Sequence, residues 1–140
     1  MEWWIEKDVD HLTEKFGILN AFELASELNI NVQFNNLGSV IYGYNNNSHR
    51  IPMIIINSEI DERTQEGVCF HEIFHLRHHK GFNTQFFAVN TNSLLSDHNE
   101  NEANKFMLAM LRDEYGWSKQ EDVLDFLDFF KLPHELASLL

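Results

Sequence analysis

An α+β domain is the fold this sequence predicts: a small three-stranded, largely antiparallel sheet packed with a helical bundle. Three observations lead there. The 140 residues suit one domain and contain no internal repeat. Apolar residues recur at helical spacing near both ends of the chain, and between 32 and 56 they alternate as in strands. From Asp61 onward the strand signals stop and helical patterns take over.

Residues 2–16 place Ile5, Val9, Leu12 and Phe16 on one face of an amphipathic helix. Asn20 with Glu23 reads as a capping box, opening a second short helix through Phe22, Leu24 and Leu28. Val32 and Phe34 then alternate with polar neighbours, Asn36 to Gly38 make a turn, and Val40 to Tyr44 form a second strand. Asn45 to Ser48 is a polar turn, and Ile51 to Ile56 is a third strand, apolar on both faces. At least one pairing is expected to be antiparallel. Residues 62–80 read as a helix stopped by Gly81, residues 82–97 as an aromatic-rich loop, and residues 98–114 as a further helix with Phe106, Met107, Met110 and Leu111 on its apolar side. Ser118 and Glu121 spell another capping box, for a helix to about Lys131, and Pro133 suits the first position of a final short helix. The whole of 1–140 is one domain. Its C-terminal part, 118–140, is dense in large side chains such as Phe126, Phe129 and Phe130, which pack onto the core or, alternatively, offer a docking surface.

Acidic residues outnumber basic ones by 22 to 10, a net charge of −12. Such a surface repels phosphate backbones and anionic membranes and suits a basic protein partner. The single cysteine, Cys69, excludes an internal disulfide and a Cys-rich zinc finger, and reads as a small core residue. The start MEWWIEKD lacks the basic and apolar regions of a signal peptide, and no apolar run reaches the roughly 18–20 residues of a membrane span. A cytoplasmic location is the expectation.

Eight histidines are present, four of them between 71 and 79. His71-Glu72-Ile73-Phe74-His75 is an H-E-x-x-H motif inside a predicted helix. Four residues advance a helix by about 1.1 turns, so both imidazoles leave one face and can reach a single Zn²⁺. Glu72, beside that face, can act as general base toward a water activated by the metal. A catalytic site needs one more protein ligand. A third histidine six residues after the second would fall on Gly81, which excludes that arrangement. Glu100 and Glu102 remain, at the start of the next helix. Helical spacing puts Glu102 on the side of His98, Lys105, Phe106 and Ala109, near the apolar face, and turns Glu100 roughly 200° away, which favours Glu102. His98, one turn before Glu102, is a candidate oxyanion donor, with Tyr115 and Tyr42 as alternatives. His78 and His79 read as surface or supporting imidazoles. Asp97 and Glu100 read as ordinary acids of a helix start rather than acceptors that fix a histidine tautomer.

The run IIINSEIDERTQEGVCFHEIFHLRHH followed by ENEANKFMLAML resembles the ImmA/IrrE family of metallopeptidases, over about residues 5–112. The resemblance implies a zincin-like fold, zinc as cofactor, and the Glu before Ala-Asn, here Glu102, as third ligand. It also matches His79 to a position where that family often has histidine. Two departures bear on the substrate groove: no proline follows Phe106-Met107-Leu108-Ala109-Met110-Leu111-Arg112, and Phe74 stands where a small residue is common. By resemblance the function is a zinc-dependent endopeptidase that cleaves a helix-turn-helix repressor, relieving repression in phage, mobile-element or stress regulation. An extended substrate is expected to pair with the sheet edge nearest the metal. The alternatives are an antirepressor that sequesters its partner through the Phe-rich C-terminal part without cutting it, and a metal that serves only as a structural clamp.

Overall fold

The first helix, α1 (Trp3–Phe16), buries Ile5, Val9 and Leu12, three positions of the predicted stripe. The structure is a computed structural model, and it describes residues 3–47, 50–79, 86–87, 98–118 and 121–140. The expected stop at Gly81, most of the loop at 82–97 with Asp97, and Ser48 lie outside the described residues. Helix α2 (Ala21–Glu27) starts at the predicted capping box: the Asn20 side chain accepts from the Glu23 backbone N–H at 2.8 Å, and the Glu23 carboxylate accepts from the Asn20 N–H at 3.1 Å.

Strands β1 (Asn31–Asn35), β2 (Ile41–Asn46) and β3 (Met53–Asn57) form the expected sheet, joined by a two-residue β4 (Phe86–Phe87) from the segment expected as loop, in the order β1-β3-β2-β4. Strand β3 lies between β1 and β2, which explains why it is apolar on both faces: Ile54, Ile55 and Ile56 are all buried. The sheet is mixed. Strand β2 pairs antiparallel with β3 and β4, but β1 runs parallel to β3, with Val32 opposite Ile54. The chain therefore leaves β1, passes over the place β3 will fill, and returns as β2. Buried Asn57 fastens that crossing: its amide donates to the carbonyls of Gly38 and Ile41, and its oxygen accepts from Leu37 and Glu59.

Helix α3 (Glu62–His78) is capped by Asp61, whose carboxylate accepts from the Arg63 N–H at 3.0 Å. Every residue from Glu66 to His75 is buried, so α3 is the central helix of the core. One side lies against the sheet at Gly43, where a Cβ would sit 2.7 Å from both the Ile55 carbonyl and Val68 Cγ1. The other side meets α4 (His98–Tyr115). Gly67 sits under Leu111 and Met107 of α4, while Phe70 and Phe74 face Phe106 at ring distances of 6.5 and 5.0 Å. Positions rising along α3 thus meet positions falling along α4, and the two helices run antiparallel.

Helix α5 (Val123–Phe129) begins later than the Ser118/Glu121 box suggests. Half of that box forms, with the Glu121 carboxylate accepting from the Ser118 N–H at 3.1 Å, but the helix is capped by Asp122, which accepts from Leu124 and Asp125. The closing element, His134–Leu139, is a 3-10 helix, and Pro133 stands just before it rather than in its first turn. The large C-terminal side chains join the core: Phe126, Leu127, Phe130, Leu132 and Leu136 are buried, and Thr64 of α3 donates to the Phe130 carbonyl at 2.6 Å. Phe129 is half-buried, and among the described residues of this segment Leu124 and Leu140 are the exposed large apolar ones. Among the described residues no helix is long and apolar enough to cross a membrane.

Candidate metal centre

The two histidines of the motif occupy successive turns of α3, fully buried, with ring centroids 4.7 Å apart. Their Nε2 atoms are 3.2 Å from each other. A carboxylate from α4 closes the group, and it belongs to Glu100: Oε1 is 2.7 Å from His75 Nε2, and Oε2 is 3.3 Å from His71 Nε2. These three residues are the set whose donor atoms could hold a metal ion, all within 4.8 Å of one another. Tetrahedral zinc with bonds of about 2.0–2.1 Å needs donors roughly 3.3–3.4 Å apart. The two spacings at His71 already lie close to this, and the Glu100–His75 contact must open by about 0.6–0.7 Å.

The ring orientations also fit a metal. His71 turns Nδ1 to the side-chain oxygen of buried Asn104 at 2.8 Å. An amide oxygen only accepts, so Nδ1 carries a hydrogen, which is the tautomer that in the neutral ring turns the Nε2 lone pair to the centre. Glu72, between the two ligand candidates in sequence, points instead toward the sheet, where Asn45 of β2 donates to its Oε1 at 2.8 Å. Its Oε2 lies 3.7 Å from His71 Nε2, at the edge of the cluster.

Among the protein's own charges, Glu72, His75 and Glu100 shift in the directions a metal-dependent reactive site needs, and His71 shifts the other way. Burial raises the Glu72 carboxyl to about 7, against the pull of His71 and the Asn45 hydrogen bond. Burial lowers His75 to about 4, outweighing the Glu100 contact, so its ring is neutral at physiological pH. Burial opposes ionisation of Glu100 as well, but the two imidazoles more than reverse it and hold the carboxyl down at about 2. For His71, burial favours the neutral ring and the facing carboxylates of Glu100 and Glu72 outweigh it, raising the group.

Glu102 corrects the expectation drawn from the helical wheel. It lies behind the cluster, accepting from His79 Nε2 at 2.9 Å with one oxygen and facing His98 Nε2 at 3.4 Å with the other. The reason is the phase of α4. Residues 100, 104, 107 and 111 form a stripe one turn apart, and Gly67 lets that stripe settle against α3 beside His71. Phe106 was a misleading guide, because α4 is buried on both flanks and 102 and 106 belong to the second one. His98 stays 74% exposed, on Glu102, and does not enter the buried cluster. The alternative donors are engaged elsewhere: Tyr115 donates to Glu66 at 2.6 Å and Tyr42 to the Lys131 carbonyl at 3.3 Å. His78 bonds Asp8 at 3.0 Å, and buried Cys69 contacts the Ala21 carbonyl. Asn104 was legible in principle, as the next member of the Glu100 stripe. Asn45 was not, since nothing local marks it within the β2 run.

A family model, peptidase M78 with its IrrE N-terminal-like domain, matches residues 25–115. The chain is also 35% identical, over 140 residues, to a protein of Bacillus phage phi105 described as "Uncharacterized immunity region protein 2", covering 96% of this chain and 87% of that one. No solved structure matches. Every side chain of the cluster, from Asn45 to Asn104, falls inside the matched span, and the chain belongs to the peptidase M78 family of IrrE N-terminal-like domains.

Proposed function

We propose that this protein is a zinc-dependent endopeptidase whose metal is held by His71, His75 and Glu100 and whose general base is Glu72. The observation that carries the reading is the buried convergence of two imidazole nitrogens and a carboxylate beside a carboxyl group raised to about 7. Zinc bound there would supply Lewis acidity toward a peptide carbonyl and the attacking water. Glu72 takes the proton from that water and returns it to the departing amine; a carboxyl near neutrality is suited to both transfers. Asn45 holds one Glu72 oxygen on the sheet side and leaves the other facing the cluster. His98, exposed and bound to Glu102, is an unfavourable oxyanion donor, and that role is left to a group outside this set.

The substrate we propose is a helix-turn-helix repressor, cleaved in the cytoplasm to relieve repression in phage, mobile-element or stress regulation. Support comes from the relative described as a phage immunity region protein and from the acidic net charge of −12, which suits a basic DNA-binding partner. The competing antirepressor reading loses its motive, because the C-terminal phenylalanines that would form its surface are mostly in the core. The test incubates purified protein, loaded with zinc, with the repressor encoded beside its gene. Wild type should cut it, and Glu72→Gln should leave it intact while retaining zinc. Full relief of repression by Glu72→Gln would instead show sequestration without cleavage.

A further inference from the structure

We propose that His79 and Glu102 are positioning residues for the metal centre: the hydrogen-bonded chain Glu102–His79–His75 is built to accept the His75 Nδ1 hydrogen, the tautomer a metal at Nε2 requires. This rests on the metal-centre reading above and extends it by one layer. His75 Nδ1 lies 2.8 Å from His79 Nδ1, and His79 Nε2 lies 2.9 Å from Glu102 Oε1. The His79 and Glu102 side chains are only 8% and 9% exposed, so water competes weakly for these bonds.

The direction of the chain follows from donor and acceptor counting. A carboxylate only accepts, so His79 Nε2 carries a hydrogen. A neutral imidazole has a single N–H, which leaves His79 Nδ1 as an acceptor. In the metal-free structure His75 Nε2 lies 2.7 Å from the Glu100 carboxylate and donates there; a metal in the centre would replace that hydrogen bond and need the Nε2 lone pair, so the bond between the two Nδ1 atoms would then take its hydrogen from His75. Without the Glu102 anchor, His79 could present an N–H to His75, which would hold the His75 hydrogen on Nε2, against Glu100, and oppose the metal.

The placement of the three groups is itself informative. His79 closes α3, its backbone N–H still donating to the His75 carbonyl at 2.8 Å, so its ring stacks one turn beyond His75 at 5.0 Å. Glu100 and Glu102 are two residues apart on α4 and point roughly 200° from each other. One thus meets the front of the His71/His75 pair and the other the back of His75. The Glu-Asn-Glu spacing serves both sides of one histidine, while Asn104 does for His71 in one step what His79 and Glu102 do for His75 in two.

The experiment compares wild type with His79→Ala, His79→Gln and Glu102→Gln. Three quantities are read: the His79 tautomer in the zinc-loaded protein by nitrogen-15 NMR, zinc affinity against a competing chelator, and the visible spectrum of the cobalt-substituted protein. Wild type should show His79 protonated on Nε2 alone. His79→Ala should lose about 10–100-fold in zinc affinity and change the cobalt spectrum. His79→Gln, whose side-chain oxygen can accept the same hydrogen, should recover most of that loss, and Glu102→Gln, which keeps an acceptor without its charge, should fall between. Protonation of His79 on Nδ1 in the zinc-loaded wild type overturns the proposal, as does zinc binding by His79→Ala within about twofold of wild type. If His79→Ala does not fold, the ranking of the two glutamine variants against wild type decides in its place. A wild type that holds no zinc refutes the metal-centre reading, whereas zinc held equally by wild type and His79→Ala refutes the role of the chain alone.

Discussion

Replacing Glu100 by glutamine keeps the volume of the side chain on α4 and removes the charge that faces both imidazoles at 2.7 and 3.3 Å. A neutral amide oxygen is a poor zinc donor. Structural zinc sites with four ligands bind with about 10–16 kcal/mol, so one donor among them accounts for roughly 3–4 kcal/mol. That corresponds to an affinity loss of about 10²–10³-fold. Glu102→Gln touches the centre only through His79, and its loss should stay at or below about 10–100-fold. The difference can be read from melting temperatures. With free zinc at about 1,000 times the wild-type Kd, wild type gains about 4 kcal/mol, whereas a variant weakened about 10³-fold gains only about 0.4. For a chain of this length the corresponding shifts are roughly 12–20 °C and 1–2 °C. Each variant must be compared with its own metal-free form, because removing the Glu100 charge also deprives His71 of its partner. A Glu100→Gln protein that gains as much from zinc as wild type, or a Glu102→Gln protein that loses more, would refute the assignment of the third ligand.

Three further outcomes follow from the fold. Gly43→Ala forces a methyl group against the Ile55 carbonyl and Val68, and should cost about 1–3 kcal/mol, seen as a lower denaturation midpoint with unchanged slope; a midpoint equal to wild type would mean that β2 and α3 are not in contact as described. Glu114 has its carboxyl raised to about 9 by burial and by sharing a hydrogen bond with Glu66, so its folded value lies above the ordinary 4.5. Its contribution is complete below the ordinary value, declines as pH climbs, and is gone once pH passes about 9; Glu114→Gln should flatten that decline in a pH series of unfolding curves, and an unchanged slope would count against the pair. Cys69 is fully buried, and burial pushes its thiol well above the ordinary value, so it should react with a thiol reagent only after denaturant is added. Rapid labelling of the native protein would contradict that burial.

Much of the architecture is legible locally. The Asn20–Glu23 box, the stripe of Ile5, Val9 and Leu12, and the apolar run that becomes β3 each record a choice made within a few residues. Strand order is not such a choice. That β3 inserts between β1 and β2, parallel to one and antiparallel to the other, depends on Asn57 holding a crossing some 20 residues upstream. The two-residue β4 carries too little pattern to register at all. The site divides the same way. His71, Glu72 and His75 lie together because a single helix spaces them. The third carboxylate depends on how a second helix is rotated, and α4 buries both flanks, so its own apolar pattern points two ways. Gly67 holds the deciding clue, since a residue without a side chain one turn before His71 marks where α4 comes closest. The late start of α5 reflects competition between adjacent caps, which Asp122 wins over Ser118.

The packing of the C-terminal segment against Thr64 sets the chemistry and the architecture at different sizes. Residues 45–104 contain every side chain of the cluster, and the family match ends at 115. The core that keeps α3 dry reaches from Ile5 to Leu136. An engineer trimming the chain to the matched stretch would therefore retain all the reactive groups and discard the walls that hold them in place. The smallest portable unit for transplantation or evolution is the longer span, with the outer helices treated as indispensable scaffolding.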